Sequence, residues 1–436
     1  MFIKEVAASV YPWDLADEKP DFVLDNLQER CNVNSLYLIG VMHYEKRPLT
    51  SLFFTHNQNR KYYLPEDSHV YYHLDMKSFD STPLKPSFAQ DPFLKDTNWL
   101  EVTVNEARKR GLRTGVELSH TLYDTKKAAA EVPETLQKDV NGEMIGGFLG
   151  MLCSNHPDVR EYKRAIFTDT VRNYDVDYIQ TCLITFAGEK KVRAPWFFDP
   201  WLPDGNPAIA SLLGLGQAGC FCPHCRALAE SLGYDWDIIL WDMKILNGIS
   251  GATHIHGINY LLEQHMALGS SATQALLLME YPGLMEFLKF RVDSVTLLME
   301  EISKLVHEIR PGIDFRYNNF TAIPEFNGIS YKRLAHCLDS VRDCEYSEQF
   351  GGIDDFVTKR KSLLNIRRGI GMDKNLIAAL GVRPNATPED IYRSIEVLST
   401  MGIDGLSLGH YDCSHMIHLD AVGEGMRRVQ MKVTGY

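Results

Sequence analysis

The chain lacks a long apolar run. Nowhere do about 18 or more apolar residues follow one another unbroken, as a membrane-crossing helix requires. Its first residues, Met1-Phe2-Ile3-Lys4-Glu5, lack the basic start and apolar stretch of a secretory leader. These two absences give the expectation of a cytoplasmic protein with no membrane partner. An excess of positive charge is missing too. The formal net charge is −12, and basic residues gather only in short runs such as Lys359-Arg360-Lys361. Without a stripe that could track phosphates, nucleic acid is not an expected partner. No Gly-rich loop follows Val10, where a doubly wound dinucleotide-binding sheet would carry one. Cysteine, by contrast, is not scarce: nine is an odd count, and in a cytosolic setting such thiols stay reduced.

What is present is an ordinary globular composition, 45% hydrophobic and 23% charged over 436 residues, enough for a large core. Short β-branched runs alternate along it with segments whose apolar residues fall three and four apart. The pattern predicts strands at Val6–Val10, Ser35–Val41, Leu112–Leu118, Asp177–Ile184, Asp314–Asn318, Ser340–Tyr346, Asn375–Gly381 and Gly405–Gly409. The second run is nearly all apolar, as a strand buried on both faces would be. Pro157 suits a helical first turn, and Thr387-Pro388-Glu389-Asp390 combines a cap, a first-turn proline and early acidic charge. Gly111 suits the left-handed position that ends a helix.

Eight strand–helix units in regular alternation imply parallel strands with right-handed crossovers, and so a (β/α)8 TIM barrel in the α/β class. One domain is expected over residues 1–436, with insertions at 47–96 after strand two and 186–283 after strand four. Both insertions fall on the side where such barrels bind ligands. The second contains Trp196-Phe197-Phe198-Asp199-Pro200-Trp201, whose rings either stack on sugars or form a satellite core over the mouth.

Cys31, Cys182, Cys337 and Cys413 have apolar or helical neighbours and read as buried thiols. Cys220-Phe221-Cys222-Pro223-His224-Cys225 is different. A C-x-C-x-x-C run brings three thiolates within reach of one tetrahedral metal ion, with Cys153 or His224 as the fourth ligand.

The order Cys153-Ser154-Asn155-His156-Pro157, Arg160-Glu161-Tyr162, strand four, then Cys220 to Cys225 resembles the zinc-bearing β-galactosidases of glycoside hydrolase family 42. Tyr11-Pro12-Trp13-Asp14-Leu15 and His43-Tyr44 look more like a group of uncharacterised glycosidase-like barrels. The tight match spans Cys153 to Cys225, with a looser likeness over most of the chain. The resemblance implies the barrel, a structural zinc held by Cys153, Cys220, Cys222 and Cys225, and a homo-oligomer. One motif departs from it. Those galactosidases end strand four with Asn-Glu, the Glu being the general acid, whereas Cys182-Leu183-Ile184-Thr185-Phe186-Ala187-Gly188-Glu189 stands here. Glu189 fills that place only by swinging in from the loop.

Glycoside hydrolysis needs two carboxyl groups flanking the scissile bond. Carboxylates at the carboxyl ends of barrel strands are the natural candidates, although each would serve equally in a rim ion pair. Glu345 is the expected nucleophile or base, with Glu348 as its substitute. Glu117 is the expected acid, with Glu189 behind it. Trp13, Asp14, His43, His120, Arg316, Asn318, His410 and Asp412 complete a set of expected sugar contacts. The expected ligand is a small glycoside or oligosaccharide. Two other classes compete. His43, Glu117, His120 and His410 around a catalytic metal would make a sugar isomerase, epimerase or lyase, although no H-x-H marks a strand end and His254-Ile255-His256 lies in the insertion. A non-catalytic carbohydrate-binding barrel would take the missing Asn-Glu pair at face value.

Overall fold

The computed structural model describes residues 3–42, 56–60, 63, 69–118, 123, 125–145, 152–181, 186, 219–250, 270–319, 324–346, 348, 356–383 and 385–434. Among them are nine strands: β1 (Glu5–Val10), β2 (Ser35–Met42), β3 (His69–Val70), β4 (Arg113–Leu118), β5 (Tyr178–Thr181), β6 (Asp314–Asn319), β7 (Ser340–Asp343), β8 (Asn375–Leu380) and β9 (Gly405–Leu408). All but β3 pair in parallel, and β1 bonds to both β2 and β9, so the sheet closes on itself. The result is the (β/α)8 barrel, with every expected strand in place. The antiparallel β3 extends the end of β2 through Val41 and Val70. Two residues are too few to show a period in sequence, so this strand was not foreseen.

The helices are α1 (Pro12–Glu18), α2 (Pro20–Cys31), α3 (Trp99–Lys109), α4 (Thr125–Glu131), α5 (Pro157–Asn173), α6 (Pro223–Ser231), α7 (Trp236–Ser250), α8 (Ser270–Glu280), α9 (Pro282–Ile309), α10 (Tyr331–Leu334), α11 (Phe356–Ile370), α12 (Pro388–Leu398) and α13 (Met416–Thr434). Pro157 and Pro388 open α5 and α12, where the missing N–H costs nothing. The Thr387 hydroxyl accepts from Asp390 N, and Asp390 accepts in return from Thr387 N, closing a capping box. Along α9, Leu284, Phe287, Leu298, Met299, Ile302 and Val306 keep one face buried. No described helix is long and apolar enough to cross a membrane.

The strands differ from expectation in what they bury. Their outward residues are apolar and meet the helices: Phe315 lies 6.2 Å from Phe167 of α5, and Tyr317 lies 6.4 Å from Tyr331 of α10, between ring centroids. Their inward residues are polar and bond across the barrel. A TIM-barrel interior is ordinarily filled by branched apolar residues. Here Ser35 and Tyr37 of β2 point inward, alternating with buried Leu36 and Leu38.

The lower interior layer is an ionic plug at the amino ends of the strands. Arg316 of β6 is fully buried. Its two Nη atoms donate to Glu5 Oε1 and Oε2, 3.0 Å each, and Nη2 also donates to Asp314 Oδ2 at 2.8 Å. Arg113 reaches the same two carboxylates at 2.9 and 3.0 Å. Tyr178 lies beneath the Arg316 guanidinium, 4.3 Å from ring centroid to Cζ. Gly115 makes room for that ring, since a Cβ there would sit 2.2 Å from it. This corrects the expectation for Arg316. It was to position substrate hydroxyls, but as the third residue of β6 its guanidinium reaches back to Asp314 and Glu5, the first residues of their strands, away from the mouth.

Burial pushes the Glu5 and Asp314 carboxyls up, but Arg316 and Arg113 more than reverse this, and both end below their ordinary values. A depressed carboxyl stabilises the fold above its ordinary range, and that contribution is lost as pH falls through the folded value. Arg316→Met is expected to cost about 3–5 kcal/mol, the typical effect of stranding one side of a buried pair. It should also flatten the acid-side loss of stability that the wild type shows below about pH 4. Urea unfolding across pH checks both, and a variant as stable as wild type would show the plug to be dispensable.

Candidate active site

Above the plug lies a second polar layer. Glu117, near the carboxyl end of β4, is 8% exposed and accepts a 2.5 Å hydrogen bond from Gln180 Nε2 of β5. Opposite stands Arg342 of β7. Its Nε donates to Ser407 Oγ of β9 at 2.8 Å, and its Nη1 to Asn318 Oδ1 of β6 at 2.8 Å and Cys344 Sγ at 2.9 Å. Its Nη2 bonds the Tyr346 hydroxyl. The guanidinium also faces two rings, Tyr37 at 5.7 Å and Tyr346 at 5.6 Å. Alternation places these residues: Arg342 points inward because Val341 and Asp343 point outward, and Asp343 bonds Ser362 of α11.

Over this layer the mouth is aromatic. Tyr11 and Trp13 stack at 4.3 Å with planes 10° apart, Tyr11 lies 5.0 Å from His410, and His410 lies 6.4 Å from Tyr346. His410 Nδ1 is 3.2 Å from Ser9 Oγ. Trp13 is fully buried, and its indole Nε1 donates to Asp412 Oδ2 at 3.2 Å. Asp14 accepts from Tyr11 N at 2.8 Å, capping α1. Asp14 and Asp412 are both buried. Burial, then the Asp412 charge, raises Asp14 well above the ordinary range. Burial pushes Asp412 up to about 6, against the Trp13 bond that lowers it.

The cysteine run forms a separate centre beside the barrel. The sulfurs of Cys153, Cys220, Cys222 and Cys225 all lie within 4.8 Å of one another and all four residues are buried. Cys153 Sγ is 3.5 Å from Cys222 Sγ and 3.6 Å from Cys225 Sγ. Tetrahedral zinc at its usual Zn–S distance sets its sulfurs about 3.8 Å apart, so the donor set fits such an ion. The fourth donor beside the run is the Cys153 thiol, while His224 packs on His156 at 4.4 Å. Asn155 supplies a supporting contact: its amide donates to Cys225 Sγ at 3.3 Å, and its Oδ1 accepts from Ser294 of α9 at 2.9 Å.

No protein-family model matches the chain, and no curated protein matches its sequence. Solved structures do match. The glycoside hydrolase domain of PgaB (BpsB) from Bordetella bronchiseptica superposes with a TM-score of 0.57 at 14% identity, over 98% of each chain. α-L-Fucosidase isoenzyme 2 from Paenibacillus thiaminolyticus gives 0.56 at 12% identity, over 100% of this chain and 50% of that one. A GH42 β-galactosidase from G. stearothermophilus gives 0.56 at 13% identity, over 100% of this chain and 57% of that one. What the chain shares with these structures is the fold. The chain spans only about half the length of the fucosidase and the galactosidase.

The structure thus gathers Glu117, Trp13, Asp14, Asn318, His410 and Asp412 at or just beneath one mouth. Asn318 is held as an acceptor for Arg342 and for the Cys344 thiol, the latter at 2.7 Å. Glu345 is half-buried at the end of β7, close enough to Asp343 to raise it. Glu348 must be corrected. It is fully buried behind the strands, where it pairs with Lys359 of α11 and accepts from Gly381 N at 2.9 Å and Ser394 Oγ of α12 at 2.7 Å. A carboxylate so engaged ties helices together and is no substitute for Glu345. His43, His120, Glu189, the Trp196–Trp201 stretch and His254–His256 lie outside the described residues, and with them two of the four ligands of the alternative metal site. Sequence reasoning missed Arg342 and Gln180. Their signal was there: polar residues at every second position of an otherwise buried parallel strand.

The Asp14–Asp412 pair makes a prediction. Carboxyls raised on folding favour the native state at low pH, and that advantage is lost as pH rises from the ordinary carboxylate range through about 6. Asp412→Asn, which keeps an acceptor for Trp13, should lose this slope and gain stability relative to wild type at pH 7. Urea unfolding at pH 4.5 and 7 decides it. Parallel pH dependence in the two proteins would mean that Asp412 is not raised on folding.

Proposed function

We propose that the chain is a glycoside hydrolase acting on a small glycoside or oligosaccharide, with Glu117 and Glu345 as its carboxyl pair and a structural zinc at the four cysteines. One observation carries the reading: Glu117 sits at the carboxyl end of a barrel strand, within a ring of Tyr11, Tyr37, Gln180, Arg342 and Tyr346. This is where a barrel of this kind builds its chemistry. The surroundings also favour a particular role. The Gln180 amide donates to Glu117 Oε2, and such donation favours the ionised form. That suits Glu117 as nucleophile or base, the role first expected of Glu345, and leaves Glu345 as the acid. The stacked Tyr11 and Trp13 with His410 give the mouth an apolar wall and a polar corner, as a sugar ring with one hydrophobic face requires.

In the zinc reading, Cys153, Cys220, Cys222 and Cys225 hold a closed site whose work is structural. Four thiols this close share their charge unevenly, because hydrogen bonds from Cys153 and Cys220 hold Cys222 far below an ordinary thiol while Cys153 is pushed up. A divalent cation relieves that competition by taking all four as thiolates.

Two experiments test the proposal. A panel of chromogenic aryl glycosides should yield a turned-over substrate, and Glu117→Gln and Glu345→Gln should each lower kcat by about 100- to 10,000-fold. Full turnover in both variants would refute the assignment. Elemental analysis of purified protein should find about one zinc per chain, lost in Cys222→Ser together with thermal stability. Metal-free wild type of unchanged stability would reduce the cluster to buried thiols.

A further inference from the structure

Helix α7 is apolar on two opposite faces. Trp236, Ile239, Met243 and Leu246 are buried. The start of α9 packs directly on the helix: a Cβ at Gly283 would sit 2.5 Å from Ile238 O, and Gly283 N donates to Asp242 Oδ2 at 2.7 Å. The outward face carries Ile238, Trp241 and Ile245, which are 43%, 70% and 37% exposed. Single exposed hydrophobes are ordinary and call for no explanation. Three at spacings of three and four form a stripe, and a helix apolar all round is one that something covers all round. The exposure continues onto adjoining turns, where Met279 near the end of α8 and Met285 near the start of α9 are 77% and 36% exposed.

The charges beside the stripe indicate what covers it. Asp237 and Lys244 are both exposed on the same side of the helix. At about 100° per residue they fall together on one flank of Trp241, and Ile238 and Ile245 fall together on the other. Reversing the helix about Trp241 maps this pattern onto itself to within one residue, or about 1.5 Å of rise. Ile238 takes the level of Ile245, and Asp237 takes the level of Lys244. We infer that the outward face of α7 is the contact between two copies of this chain, paired antiparallel about a two-fold axis at Trp241. Such an axis lays like flank on like flank. Ile238 then meets the partner's Ile245, Asp237 meets the partner's Lys244, and the two Trp241 rings meet at the centre. Asp237 has an exposed contact with Arg226 at 3.4 Å and keeps 82% of its side chain open, so it can accept a second cation. A central tryptophan rimmed by charged pairs is the common make-up of a strong contact. A polyanion or an anionic membrane would be repelled by Asp237 as much as it was drawn by Lys244.

Sedimentation velocity of the full chain tests the pairing, and no substrate is involved. Wild type at about 10 μM should sediment mainly as a dimer. Trp241→Glu should stay folded, because the ring it replaces is exposed in the single chain, and its dimer Kd should rise by about 100-fold or more. Asp237→Lys or Lys244→Asp alone sets like charges opposite each other at both ends of the contact. Each should raise Kd by about 10-fold, and the two together should restore it to within about threefold. A monomeric wild type would overturn the inference, and hydroxyl-radical labelling of Trp241 would then tell a bare face from one covered by another segment of the chain. A dimer that folded Trp241→Glu leaves intact would overturn it equally, since another surface would be the contact. If Trp241→Glu does not fold, the charge swap decides alone: a double variant no tighter than the single ones rules out the antiparallel pairing.

Discussion

The pairing of Arg316 with Glu5 and Asp314 is the constraint on which the barrel interior depends. A closed parallel barrel must fill its axis with side chains, and apolar residues do this without further demands. Once a guanidinium is placed there, two carboxylates must meet it, and they must come from strands far apart in sequence. Glu5 opens β1 and Asp314 opens β6, so the plug forms only when the first and fifth barrel strands are in final register. A one-residue slip of either strand would turn its charge out among the helices. A buried ion pair is weak evidence for stability, since well-packed hydrophobes often do better. What this one supplies is a register that no other arrangement of the strands can satisfy.

That register passes upward. β6 and β7 each place a second polar residue two positions beyond the plug, Asn318 above Arg316 and Arg342 above Ser340. In the same step β2 carries Tyr37 above Ser35, and β5 carries Gln180 above Tyr178. The lower layer is neutralised within itself, whereas in the upper one cation and carboxylate stand apart. The Cys153–Cys225 cluster fixes the third dimension. It ties the start of α5 to α6, while Phe221 N donates to Lys138 O at 2.9 Å and Cys153 N to Thr135 O at 2.7 Å. Segments that the barrel strands do not order are thereby pinned beside the mouth.

The fold was legible because its signal is repeated. Eight runs and their helices each reported the same period, and a strand end set three residues too far at Ser340–Tyr346 did not disturb the count. The cysteine run was legible for another reason: three thiols at that spacing have few other uses, and the fold brings Cys153 to them. The interior was only partly legible. Ser35–Val41 is buried on both faces as expected, but its inward Ser35 and Tyr37 bond across the barrel, and Arg316 looked like a mouth residue because it lies on a strand. Alternation alone cannot say which end of a strand a long side chain bends toward. Arg316, level with Ser340, reaches back to Asp314 and Glu5, whereas Arg342, one layer higher and level with Asn318, bonds Asn318 and Tyr346. Glu348 failed for a related reason. Past the end of β7 the chain leaves the two-residue period, and nothing local distinguishes a carboxylate facing the mouth from one facing α11 and α12.

The opposed electrostatics of the two ends follow from the same geometry. At the amino end, carboxyls are held down by arginines in contact, and acid works against the fold there. At the carboxyl end, burial holds Asp14 and Asp412 up, with the Asp412 charge raising Asp14 further, and rising pH works against the fold there. Each end alone would give a stability that changes in one direction with pH. Together they place the most stable range between the two titrations. The Trp13 indole, stacked on Tyr11 and bonded to Asp412, puts one of the raised carboxyls in contact with the wall of the mouth.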